Sequence, residues 1–164
     1  SLLFGESEDH RTIDFNRLME LNMVCVFEIP DWVKSLFVLK YPRISIKHEH
    51  ALFLRALFQS STFHRAMHIS MNDDYFNLDI VYHNELIFAN SFQYQTAEDV
   101  LYYALNTLDK QELKQQKVEL HSYFLNDKQK GVIDSFYDLL GKVSGHQLIS
   151  KDPINSLTLQ PLCV

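Results

Sequence analysis

Residues His68–Phe92, HISMNDDYFNLDIVYHNELIFANSF, contain three successive runs of strand-forming residues separated by two short polar breaks. In the middle run Phe76, Leu78, Ile80 and Tyr82 alternate with Tyr75, Asn77, Asp79 and Val81. A period of two sends alternate side chains to opposite faces, so the run reads as a strand with one drier face. The first break lies between Met71 and Phe76, with Asn72, Asp73 and Asp74 at its centre. The second is His83-Asn84. Asparagine tolerates positive φ and suits a two-residue hairpin, with Glu85 standing where glycine usually follows it.

Downstream, Thr96 is placed to cap a helix, and Glu98 and Asp99 put negative charge in its first turn, where the helix dipole favours it. Leu101, Ala104, Leu105 and Leu108 form the apolar stripe of that helix. KVELHSYF, residues 117–124, reads as a fourth strand. Lys128–Gly141 reads as a helix carrying Val132, Phe136, Leu139 and Leu140, and HQLIS, 146–150, as a fifth strand. The order over residues 66–152 is therefore βββαβαβ, an α/β unit with a mixed sheet and helices packed on it. Residues 153–164, with two prolines, read as an edge segment or tail.

Upstream, residues 1–20 are polar and mixed, with Glu6, Glu8, Asp9 and His10 ahead of a short amphipathic piece at Phe15, Leu18 and Met19, and read as a loop or linker. Over residues 21–65 the expected order is strand, helix, strand, helix. Met23–Pro30 reads as a buried strand stopped by proline, and Asp31 as the cap of a helix with Trp32, Val33, Leu36, Phe37 and Leu39 on its apolar side. Ile44 and Ile46 then alternate as a short strand, and Leu52, Phe53, Ala56 and Leu57 form a second helix face. A chain that opens on Ser1 rather than Met is expected to continue upstream.

The composition narrows the class. With 164 residues, 46% of them hydrophobic and 13% aromatic, the chain has enough apolar surface to fold without metals or disulfides. The formal charge is −6 and the basic residues are scattered, which argues against a nucleic-acid partner. Cys25 and Cys163 have no zinc or disulfide spacing, so a reducing, cytoplasmic setting is expected. No apolar run approaches the ~20 residues that span a bilayer.

The order of three antiparallel strands, helix, strand, helix, strand is similar to the ribonuclease H-like unit that is duplicated in actin-like ATPases. ISIKHEHALFLRAL, 44–57, looks like the segment ahead of the second such unit in pilus-assembly and cell-division members of that class. NSFQYQTAEDVLYYAL, 90–105, resembles an uncharacterised family from Bacteroides-type bacteria with an actin-like ATPase fold and no assigned activity. The likeness covers residues 21–150.

This resemblance implies two glycine-rich loops, because glycine lets main-chain N–H groups close on phosphate oxygens. The matching positions depart from it. Ser70–Tyr75, with Asn72, Asp73 and Asp74, contains no glycine, and neither does Ser122–Lys130, which offers bulky Tyr123, Phe124 and Leu125. The expectation is a non-catalytic scaffold or protein-interaction module with degenerate nucleotide loops, no cofactor, and a protein partner, a second copy included. The runner-up is a weak ATP-binding protein, whose first phosphate loop would lie upstream of this chain.

Ribonuclease H-like folds also house metal-dependent nucleases. Parallel strands would bring Asp73 and Asp74 near Asn126 and Asp127, a carboxylate set suited to Mg²⁺. Such nucleases need a carboxylate within the first strand, where this chain has His68 and Ser70, and turn aspartates ordinarily bond nearby backbone N–H groups. His48 and His50 lack the i, i+4 spacing of a zinc helix, and His68 and His121 are expected as a polar pair on adjacent strands. Cys25 reads as an inert core thiol. Tyr94, Tyr102 and Tyr103 surround the strand-to-helix junction. Core packing is the simpler role for them, and Tyr94 and Tyr102 are the candidates for a partner surface.

Overall fold

The computed structural model describes residues 10–59 and 63–158 and divides into two compact units, the first ending at Leu57 and the second starting at Phe58. The second unit has the expected element order. Strands β3 (Ala66–Met71), β4 (Tyr75–Tyr82) and β5 (Glu85–Gln93) are antiparallel neighbours. Helix α3 (Ala97–Lys110), strand β6 (Lys117–Phe124), helix α4 (Asp127–Leu140) and strand β7 (Gln147–Ser150) follow. The sheet order is β5-β4-β3-β6-β7, with β6 parallel to both β3 and β7. Ile154–Asn155, strand β8, pairs parallel with Tyr123 and Phe124 of β6, so the segment after residue 152 is an edge piece as far as it is described. Cys163 lies outside the described residues.

One turn and two caps fix this order locally. His83 and Asn84 both take left-handed conformations, φ 50° and 60°, which makes the two-residue turn whose twist matches its strands. Asn84 therefore occupies the second turn position itself, and Glu85 is the first residue of β5, opposite Tyr82, rather than a glycine substitute. Ahead of α3, one oxygen of the Asp99 carboxylate accepts from the N–H groups of Gln95 and Thr96, each at 2.9 Å. Ahead of α4, the Asn126 Oδ1 accepts from the Gln129 N–H at 3.0 Å.

The core forms where α3 and α4 meet one face of the sheet. Met67, Ile69, Phe76, Leu78, Ile80 and Leu120 are fully buried there against Val100, Ala104, Leu108, Ile133 and Phe136. The expectation of a single drier face on β4 needs correction, since Asn77, Asp79 and Val81 on the other face are buried as well. The hydrophobic alternation is real, but the polar set is desolvated too.

The first unit departs further from expectation. Arg11–Leu18, read as part of a loop, is strand β1, paired antiparallel along its whole length with β2 (Met23–Pro30). Residues 1–9 lie outside the described residues. β2 is not a buried strand: Met23, Val24 and Val26 are exposed. Asp31 starts helix α1 (Asp31–Lys40) without capping it, its carboxylate accepting instead from the Thr12 hydroxyl. Ile44 and Ile46 form no strand. Asn16 holds that segment, its amide donating to the Ile46 carbonyl at 3.2 Å and its carbonyl accepting from the His48 N–H at 2.7 Å. Helix α2 (Glu49–Gln59) follows, with His48 Nδ1 accepting from the His50 N–H at 3.2 Å, so the HEH string makes a helix start. The order is strand, strand, helix, helix.

Candidate functional site

In an open sheet the crevice for a ligand lies beyond the carboxyl ends of parallel strands at the point where strand order reverses. Here that point lies between β3 and β6, flanked by the Asn72–Asp74 turn and the Leu125–Asn126 loop. The pairing Ser70↔Tyr123 brings the two together.

Several polar groups of both loops are already paired within the protein. The Asn72 N–H donates to the Tyr75 carbonyl at 2.8 Å, and the Tyr94 hydroxyl donates to the Asn72 carbonyl at 2.7 Å. The Tyr94 N–H donates to the Asp74 carbonyl at 3.1 Å. Across the gap, Gln129, 1% exposed, donates from Nε2 to the Asp73 carboxylate at 3.2 Å and accepts at Oε1 from the Leu125 N–H at 2.7 Å. One buried carboxamide thus ties the turn to the loop. The Asn72 Nδ2 is buried without a partner.

The sequence-derived candidates fall differently from one another. Asn72, Asp73 and Asp74 do form the turn. Tyr123 and Phe124 belong to β6 rather than to the loop: Tyr123 is 3% exposed and Phe124 packs against the core, so only Leu125, 40% exposed, is a bulky loop residue. The sequence alone does not single out Gln129. Its signal was an amide two residues into a helix start, a pattern that does not by itself reveal a bridge. Asp127 is the first residue of α4, and among the described residues no group of three His, Cys, Asp or Glu is arranged to hold a metal ion.

Tyr94 is buried and its hydroxyl is used within the turn. Burial, reinforced by Asp73 and Asp74, raises its pKa. Tyr103 stacks on Phe92 with ring centres 4.4 Å apart, and Tyr102 meets Tyr103 edge-on at 5.2 Å while remaining 63% exposed. Of the three tyrosines, Tyr102 is the one open to a partner.

The face of the sheet away from α3 and α4 carries a buried polar row. His68 stands opposite Asp79 on β4 and His121 on β6, and its ring stacks on that of His121 at 5.0 Å. Its Nδ1 shares a 2.9 Å hydrogen bond with the Tyr123 hydroxyl, while Nε2 is buried without a partner. Burial, with the neighbouring His121, pushes the His68 pKa down to about 3. The expected pair is present, with the His68 ring incompletely satisfied.

Residues 1–143 match the family described as protein of unknown function DUF3822. The chain belongs to this family. A solved structure from Bacteroides thetaiotaomicron VPI-5482, described as a protein with actin-like ATPase fold and unknown function, is similar over 97% of this chain, with a TM-score of 0.78 and 23% identity. The chain spans 61% of that structure's length. No curated protein matches. This DUF3822 family chain accordingly has the actin-like ATPase fold, its second unit being the ribonuclease H-like βββαβαβ element. No helix among the described residues is long and apolar enough to cross a membrane.

Proposed function

We propose that this protein is a non-catalytic scaffold or protein-interaction module built on an actin-like fold whose nucleotide loops have degenerated. The observation that carries the reading is the Gln129 bridge between Asp73 and the Leu125 N–H, in a turn and loop that both lack glycine. A phosphate group needs free main-chain amides. Here the Asn72, Tyr94 and Leu125 amides already have acceptors.

The reading takes residues 21–65 as the remainder of a first actin-like subdomain and 66–152 as the second. It places the protein in the cytoplasm with a protein partner rather than nucleic acid. Exposed Tyr102 is the candidate contact, since aromatic side chains anchor protein interfaces.

Thermal unfolding with and without millimolar Mg-ATP tests it. Ligand that binds the folded state alone raises the melting temperature by mass action. The melting temperature is expected to stay unchanged, and a clear upward shift would instead establish a weak ATP-binding protein.

A further inference from the structure

We draw no further inference here: the strongest candidate, the backbone edge of β5 at the end of the second unit's sheet, uncharged from Leu86 to Gln93, carries nothing because nothing in the structure shows what covers it.

Discussion

Replacing Gln129 with alanine would strip the Leu125 N–H and the Asp73 carboxylate of a partner at once. Leaving a buried donor unsatisfied costs about 1–3 kcal/mol, and the part-buried Leu125 N–H belongs at the low end of that range. Gln129→Ala should therefore lower the unfolding free energy measured in urea by about 1 kcal/mol, and an unchanged free energy would mean that the bridge does not hold the two loops. His68 makes a second residue-scale prediction. Its folded pKa, about 3, lies below the ordinary 6.5. Between these values the unfolded chain binds a proton that the folded chain refuses. The stability is complete above pH 6.5 and is lost as pH falls toward 3, by about 1.4 kcal/mol per unit. His68→Gln should flatten the slope of stability against pH between 6.5 and 4.5 by that increment. An identical slope in both proteins would show that His68 is not held neutral. Neither Gln129 nor His68 could have been assigned these roles from sequence, because each depends on partners from distant elements: Asp73 lies 56 residues before Gln129, and Tyr123 lies 55 after His68.

At the scale of elements, legibility follows from whether pattern and punctuation agree. β3 to β7 were readable because periodic apolar runs end at residues with a local reason to stop a strand or start a helix: His83-Asn84 with positive φ, Thr96 with Asp99 in its first turn, and Asn126. Asn126→Ala removes the side-chain acceptor for the Gln129 N–H and should cost about 1 kcal/mol in chemical unfolding, with α4 otherwise intact. A loss below measurement error would mean that α4 starts without its cap. β1 is not legible in the sequence for a related reason. Its apolar residues Ile13 and Phe15 alternate with Thr12, Asp14 and Asn16, a proper strand pattern, yet the apolar side is the exposed one. The polar side is held by Thr12–Asp31, Asp14–Lys34 and Asn16–Ile46 bonds. A reading that expects hydrophobic residues to find a core had no way to credit it.

For the whole molecule the contrast between the two units has a dynamic consequence. In the second, the strands β3, β4 and β6 sit in a core where Met67, Ile69, Leu78, Ile80 and Leu120 are fully buried. In the first, α1 has no buried residue, and Trp32, Leu36 and Leu39 along it are 67%, 59% and 84% exposed. Local opening draws on elements with few buried apolar groups, since opening them exposes little new surface. Native-state hydrogen exchange should therefore show the amides of β3, β4 and β6 exchanging only through global unfolding, and those of α1 through openings of much lower free energy. Equal protection of α1 and β3 at low concentration would contradict the assignment of stability to the second unit's core.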